Sequence, residues 1–345
     1  MNYRKDAGEK ILAWYLKNKR SLPWRETKDP YRIWISEMML QQTRVDTAID
    51  YYHRFLQRFP DVHTLAQAEE EEVLAVWQGL GYYSRARNVH RAARLVEERF
   101  HGRFPDTRDS LLELSGIGEY SAGAILSIAF GKPYPAVDGN VLRVISRVEG
   151  SFEDIGRETT KKQVREIVAQ MMPLENPGDF TQGLMELGAL VCIPGEPHCS
   201  NCPVNGLCRA FADGTQLEIP VRKKKGQPIP QHHFFAALIR YRGNILMEYR
   251  KEATLLGKMW GLPLVKTAGA AEAIPQLERK LGLALVEEKH LGIVKHVFTH
   301  QVWHMEAVAM SLREQNSEGH DIPVLPADYQ WVREDQLASI AIPTS

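Results

Sequence analysis

The four cysteines of this 345-residue chain, Cys192, Cys199, Cys202 and Cys208, all fall within the single stretch CIPGEPHCSNCPVNGLC. No other feature restricts the fold so tightly. The spacing, C-x6-C-x2-C-x5-C, lets one loop wrap four thiolates around one centre, and Pro194, Gly195, Pro197, Pro203 and Gly206 keep that loop from becoming a helix. Disulfides are scattered staples of oxidising compartments, whereas a tight cluster in a reducing one points to a metal. Four thiolates suit either a tetrahedral zinc ion or an iron–sulfur cluster. Structural zinc usually takes two short C-x2-4-C knuckles and only one is present, so the iron–sulfur cluster stands ahead of zinc.

Lysine and arginine together number 43, as do aspartate and glutamate, so net charge announces no nucleic-acid partner and any basic surface must be local. No apolar run reaches the about 18 residues of a membrane span. The N-terminus, with Arg4, Lys5, Asp6, Glu9 and Lys10, lacks the apolar stretch of a signal peptide. The expectation is a soluble, bacterial cytoplasmic protein with no targeting segment and no membrane partner.

Residues 1–215 read as nearly all helix. PYRIWISEMMLQQTRVDTAIDYYHRFLQRF has the apolar spacing of two helices meeting near Gln42 and Thr43, and EEEEVLAVWQGLGYYSRARNVHRAARLVEERF is broken at Gly79 and Gly81. Three prolines, a glycine and four consecutive basic residues then mark 216–231 as a linker. From 232 to 345 the period changes. FFAALIRYRGNILMEYR reads as a β-hairpin turning at Gly243-Asn244, AEAIPQLERKLG as a helix and KHVFTHQVWHMEAVAM as strand, which makes a smaller α/β domain.

Three stretches of the helical region can carry chemistry. In LSGIGEYSAGAIL, Gly116 and Gly118 allow a turn with bare backbone N–H groups ahead of a helix start, a seat for phosphate; the plain alternative is an αα-turn. Glu37 in RIWISEMMLQQ has Ile33, Trp34, Leu40 and Gln41 at helical spacing. A carboxyl among them resists ionising, as a general acid near neutral pH requires; the alternative is an exposed glutamate beside the apolar stripe. Asp138 in YPAVDGNVLRVI precedes a helix and reads first as its N-cap, a position that favours the ionised form. A protonated and an ionised carboxyl, tuned apart, are what glycosidic chemistry through an oxocarbenium-like state uses.

Taken together, the cysteine spacing, Leu-Ser-Gly-Ile-Gly and Val-Asp-Gly-Asn resemble the helix-hairpin-helix DNA glycosylases that carry an iron–sulfur cluster, and within them the MutY-type adenine glycosylases. LPWR (22–25), SEMMLQQTRV (36–45), GLGYYSRARN (79–88), AVDGNVLRV (136–144) and ELGALVC (186–192) are similar to that family's motifs, in order, and the likeness is strongest over residues 5–215. The resemblance implies a mostly α N-terminal region of two helical lobes with an iron–sulfur loop at 192–208, followed by a smaller α/β Nudix-like domain. It implies a monomeric, nucleoid-associated enzyme of base-excision repair that acts on double-stranded DNA, removing adenine mispaired with 8-oxoguanine or guanine. Its cofactor would be a [4Fe–4S] cluster on Cys192, Cys199, Cys202 and Cys208, with Arg143 and Arg147 close by. By family role Glu37 protonates the adenine, Asp138 stabilises or attacks the sugar cation, and Tyr120 assists through its hydroxyl. Trp24, Arg25 and Gln182 line the flipped-adenine pocket, since a base must leave the stack to be cut. Leu40, Gln42, Thr43 and Tyr82 insert near or contact the 8-oxoguanine; without the resemblance Leu40 and Tyr82 read as core. Gly116, Gly118 and Asn140 fall in the DNA-contacting motifs.

Two positions argue for a monofunctional enzyme that leaves an abasic site. Tyr120 stands where the bifunctional relatives carry a Schiff-base lysine, and residues 138–140 read Asp-Gly-Asn where those relatives have Asp-Thr-His. In the C-terminal part LLGKMWGLPLV and FTH resemble the Nudix-like recognition domain. AIPQLERKLGLALVEE lacks the glutamate-rich box of a Nudix hydrolase. Phe298-Thr299-His300 replaces the family's Phe-Ser-His, and threonine keeps the hydroxyl for bonding to the lesion. The plain alternative is that VFTHQVW is a sheet strand.

Overall fold

The computed structural model describes residues 3–223, 228–251, 256–267, 269–298, 300–313, 323–340 and 342. Of the positions singled out above, Thr299 and linker residues 224–227 lie outside the described residues. The chain divides into two units, Met1–Ala68 with Ser84–Lys225, and Glu69–Tyr83 with Gly226–Ser345.

The first unit is helical. It contains α1 (Tyr3–Asn18), α2 (Pro30–Leu40), α3 (Val45–Arg58) and α4 (Val62–Gln67). The short α5 (Glu70–Trp77) belongs to the second unit. The first unit then resumes with α6 (Ser84–Phe100), α7 (Arg108–Leu112), α8 (Glu119–Ile128), α9 (Gly139–Glu149), α10 (Glu158–Met171), α11 (Pro177–Leu190) and α12 (Arg209–Ala212). Local chemistry sets several starts and stops. Asp29 accepts a hydrogen bond from the Tyr31 amide at 2.9 Å ahead of Pro30, and Asp61 accepts from Thr64 at 2.7 Å, each satisfying an amide the helix leaves open. Helix α9 stops at Gly150, which adopts the left-handed conformation that ends helices without steric cost.

One core of this unit joins α1, α9, α10 and α11 through Ile11, Val141, Val144, Ile145, Val168, Phe180, Leu184 and Leu187. Val204, Cys192 and Cys202 pack against it, so the cysteine loop is built onto the same core. The close approach of α11 to the start of α9 needs Gly188: a Cβ there would sit 2.7 Å from the Asn140 Cβ and 3.3 Å from its backbone. That contact sets where Asp138 and Asn140 stand.

The second unit is a mixed sheet with one long helix. Strands β1 (Gln231–Tyr241), β2 (Asn244–Tyr249), β3 (Trp260–Gly261), β4 (Leu264–Val265), β5 (Leu285–Val297), β6 (Val302–Leu312) and β7 (Tyr329–Arg333) form it, with α13 (Ala270–Leu281) between β4 and β5. The main order is β3-β2-β1-β6-β5, β1 and β6 run parallel, and β4 and β7 attach to β1 and β2. Alternate residues Phe235, Ala237 and Ile239 face a core with Ala273, Leu277 and Leu281 of α13. Two details differ from the sequence reading. The β1–β2 turn is Arg242-Gly243, both with positive φ, one residue before the expected Gly243-Asn244; that geometry follows the right-handed twist of the strands. The strand expected across 295–310 is interrupted. Strand β5 ends at Val297 and antiparallel β6 begins at Val302, with the Phe298 amide bonded to the Gln301 carbonyl at 2.8 Å. Among the described residues no helix is long and apolar enough to cross a membrane.

The contact at Gly188 generates a prediction. Gly188→Ala forces α9 and α11 apart and lowers stability by about 1–3 kcal/mol, the usual cost of overpacking. Thermal unfolding, followed by circular dichroism, should show a melting point several degrees below that of the parent; an unchanged value would mean the packing is loose.

Candidate active site and cysteine loop

Two helices of the first unit present the same pattern to one cavity of about 200 Å³. Helix α2 contributes Ile33, Ser36, Glu37 and Leu40, and α11 contributes Gln182, Met185, Glu186 and Ala189. Each set follows the i, i+3, i+4, i+7 spacing of one helix face. The wall is completed by Arg20, Leu22, Trp24 and Arg25, by Thr43 and Val45, by Tyr120 and Ile128 of α8, and by Asp138 and Asn140 at the start of α9.

Glu37 is buried, 5 % exposed, beside Ile33, Trp34 and Met38. The Tyr120 hydroxyl donates to its Oε2 at 2.5 Å, and that hydroxyl also lies 3.8 Å from the Met185 sulfur. Burial pushes the Glu37 carboxyl up to about 7; the Tyr120 hydrogen bond opposes that rise, Asp138 adds to it and Arg25 reduces it. The carboxyl is thus half-protonated near neutral pH. The same burial, with Glu37 and Asp138 nearby, raises the Tyr120 phenol well above its ordinary value and keeps it a donor.

Asp138 caps α9, as its position suggests. Its Oδ1 accepts from the Val141 amide at 2.7 Å and its Oδ2 from the Asn140 side chain at 2.9 Å. The cap donors favour the ionised form, but burial outweighs them. Burial raises the Asp138 carboxyl above its ordinary value, and the donors from Val141 and Asn140 and the charge of Arg143 only moderate the rise. Burial therefore pushes both carboxyls the same way, and the difference lies in their donors: Asp138 has several and Glu37 has Tyr120.

Glu186 was not singled out in the sequence, although it lies four residues after Gln182 on the same helix face. It is 1 % exposed and takes both guanidiniums of the pocket rim. Arg20 donates at 2.8 and 2.6 Å, and Arg25 at 3.0 and 2.8 Å. Burial opposes ionisation, but the bonds from Arg20 and Arg25 hold the Glu186 carboxyl down at about 2. Arg25 also lies over the Tyr15 ring, 5.4 Å from its centroid.

Other expected site residues fall elsewhere. Gln42 sits on the turn between α2 and α3 with a φ of 60°. Gly116, with a φ of 81°, packs where a Cβ would lie 2.7 Å from the Asn88 Cβ, and Gly118 is the N-cap of α8. In the second unit Tyr82 is half exposed with a φ of 50°. The Phe298 ring there lies 4.1 Å from His296 and 5.0 Å from Trp303, and His300 is exposed in the same turn.

Cys192, Cys199, Cys202 and Cys208 line a second, largely apolar cavity with Val144, Arg147 and Leu187. Two short 3-10 turns, Cys199–Asn201 and Asn205–Leu207, shape an otherwise irregular loop. Burial pushes the Cys202 thiol up to about 12 and raises Cys199 and Cys208 as well, so these groups need a positive centre to hold them as thiolates. Arg147, also buried, donates to the Cys192 Sγ at 3.4 Å and to the carbonyls of Ile193, Gly195 and Ile219 at 2.9, 3.3 and 2.8 Å. A buried cation among carbonyls calls for an anion beside it, and a cysteine held as thiolate would supply one. Among the described residues no three Cys, His, Asp or Glu side chains form a group able to hold a metal ion. The two cavities are joined through α9. Arg143 donates to the Asn140 side chain, to the Gly188 carbonyl and to the Cys192 carbonyl, each at 2.8 Å.

Residues 35–170 match the family model described as HhH-GPD superfamily base excision DNA repair protein, and residues 235–345 match that of the NUDIX domain. An adenine DNA glycosylase of Buchnera aphidicola (subsp. Schizaphis graminum) is 33% identical, over 88% of this chain and 86% of the relative. The adenine DNA glycosylase of Homo sapiens is also 33% identical, over 97% of this chain and 71% of the relative. Among solved structures, a thermostable thymine-DNA glycosylase superposes with a TM-score of 0.56 at 29% identity, over 61% of this chain and 97% of that chain.

The burial of Glu37 generates a stability prediction. A carboxyl that binds its proton more tightly when folded costs stability as pH rises from its unfolded value of about 4.3 through its folded value of about 7. Glu37→Gln removes that cost. Urea titrations should show the variant more stable than the parent by about 3–4 kcal/mol at pH 8, with the gain shrinking toward zero near pH 4. A variant less stable than the parent at pH 8 would mean that Glu37 is not held out of water.

Proposed function

This chain belongs to the adenine DNA glycosylases of the HhH-GPD superfamily, hydrolases of N-glycosyl bonds in base-excision repair, and we propose that it removes adenine mispaired with 8-oxoguanine or guanine by a monofunctional reaction. The observation that carries this reading is a buried Glu37, titrating at about 7, in one cavity with Asp138. An adenine turned out of the stack enters that cavity between Trp24, Arg25 and Gln182. Protonated Glu37 gives its proton to a ring nitrogen of the base, the C1′–N9 bond breaks with its electron pair going to adenine, and the base leaves neutral. Asp138, held by Val141 and Asn140, faces the cationic sugar, and water adds at C1′ as its released proton passes to the Glu37 carboxylate. Tyr120 keeps Glu37 aimed through its 2.5 Å bond. No lysine stands at position 120 to form a Schiff base, so the product is an abasic site.

The division of labour follows the two regions: residues 1–215 excise, and 232–345 read the lesion; Leu40, Gln42, Thr43 and Tyr82 are assigned to contacts with 8-oxoguanine, and so are Phe298, Thr299 and His300. Gly116, Gly118 and Asn140 contact DNA around the excised nucleotide. Cys192, Cys199, Cys202 and Cys208 hold a [4Fe–4S] cluster, whose thiolate-bound core ties the loop together and balances the buried charge of Arg147. The four cysteines line one cavity without converging, among the described residues, on a point that could hold a single metal ion, which would suit a cluster better than zinc. The protein works as a monomer on double-stranded DNA in the bacterial cytoplasm.

Two measurements test the proposal. Duplexes with adenine opposite 8-oxoguanine, guanine or thymine should break at the adenine only after alkali, and only opposite the first two. Breaks without alkali would restore lyase chemistry, and excision of a different base would overturn the adenine–lesion pairing. The pH profile tests Glu37 as the acid. Excision should fall as pH rises through about 7, where the carboxyl loses its proton. Tyr120→Phe removes a bond that favours the carboxylate, so the falling limb should move to higher pH; a limb that stays in place would remove Tyr120 from the site.

A further inference from the structure

Arg85 is a buried arginine in the first turn of α6, 5 % exposed, and it enters neither the adenine cavity nor the cysteine loop. Its guanidinium closes the end of α2. One nitrogen, Nη1, donates to the carbonyls of Met38, Met39 and Gln41 at 3.1, 2.6 and 2.5 Å, and Nη2 donates to the Thr43 hydroxyl at 3.2 Å. The last carbonyls of a helix have no partner within it, and a cation there also meets the negative end of the helix dipole. The turn that follows is unusual. Gln42 adopts a φ of 60°, which an L side chain rarely takes unless its surroundings impose it, and the Thr43 amide reaches back to the Leu40 carbonyl at a long 3.4 Å. The short bonds in this turn run to the guanidinium.

We propose that Arg85 is the positioning residue of the 40–43 turn, holding Gln42 in its left-handed conformation so that its side chain is presented rigidly to the duplex. This rests on reading Leu40, Gln42 and Thr43 as the segment that enters the duplex beside the lesion. A side chain that replaces lost stacking must be held in place, because one that sways offsets little of the cost of extruding a base. Arginine suits the role because its planar fork reaches four acceptors at once, whereas an ammonium is a point donor.

The test uses Arg85→Lys in the full-length protein. On a duplex with adenine opposite 8-oxoguanine and paired neighbours, single-turnover excision should fall by about a hundredfold, the scale of a misplaced positioning group. On the same duplex with a mismatched neighbouring pair, where the adenine leaves the stack more easily, the deficit should shrink to within about threefold. In a Glu37→Gln background, 2-aminopurine at the target position should show a fluorescence rise on binding that Arg85→Lys reduces. Gln42→Gly should produce the same dependence on the flanking pair, and adding Arg85→Lys to it should cost little more, because both act through one turn. Equal losses on both duplexes with an unchanged fluorescence rise, full additivity, or no loss would each overturn the proposal. If Arg85→Lys does not fold, Thr43→Val, which removes the Nη2 contact, carries the same two-duplex comparison; any contact of Thr43 with the lesion is lost equally on both duplexes, so the difference between them is what is read. The functional reading fails separately, if the parent protein does not excise adenine opposite 8-oxoguanine.

Discussion

A carboxyl kept out of water with no cation bonded to it is the constraint around which the first unit is arranged. Glu37 lies on the buried face of α2, its hydrogen bond comes from the neutral hydroxyl of Tyr120, and its proton is held to about pH 7. Across the same cavity Glu186 receives the opposite treatment. It is at least as buried, but two guanidiniums bond it and hold it ionised down to about pH 2. Side chain and helical setting are alike, and the neighbours decide which glutamate can give a proton and which can only anchor. By occupying Arg20 and Arg25, Glu186 also limits how far the pocket's cations can pull the Glu37 proton away.

The start of α9 carries the second half of this arrangement. Asp138 caps the helix, Asn140 braces Asp138, and Arg143 ties Asn140 to Gly188 and to the Cys192 carbonyl. One turn further on, Arg147 reaches the Cys192 sulfur. The cysteine loop and the adenine cavity are thus two ends of one short helix, and the glycine at 188 lets α11 come close enough to join them. The same helix that fastens the cysteine loop through Arg143 and Arg147 therefore also positions Asp138 at its start.

Much of this was legible in the residues. Helical spacing in RIWISEMMLQQ put Glu37 among Ile33 and Trp34, and the end of α2 falls at Leu40, beside the expected break. Other features were legible only in part. The N-cap at Asp138 was readable from YPAVDGN, but the direction in which its carboxyl shifts was not. A cap lowers that value and burial raises it, and only the packed structure says how much water remains. Within ELGALVC nothing marks the role of Glu186, because its partners lie more than 160 residues away, at Arg20 and Arg25. Nothing in GLGYYSRARN sets Arg85 apart from its neighbouring arginine, because the α2 carbonyls its fork meets lie more than 40 residues away.

The sequence by itself determined the features that depend on near neighbours: the cysteine spacing, the helical and strand periods, the caps and the glycine turns. Family likeness extended that to the chemistry, because motifs record which residue types a reaction needs. Tertiary structure alone decided the electrostatics and the fine register. Protonation depends on total burial and on charges contributed by distant segments, as Glu37 and Glu186 show. The β-turn at Arg242-Gly243 and the end of β5 at Val297, opposite Val302 of β6, depend on which residues the paired strands hold opposite each other. Neither burial nor strand register is a property of a stretch of chain, since each exists only once the other segments are in place.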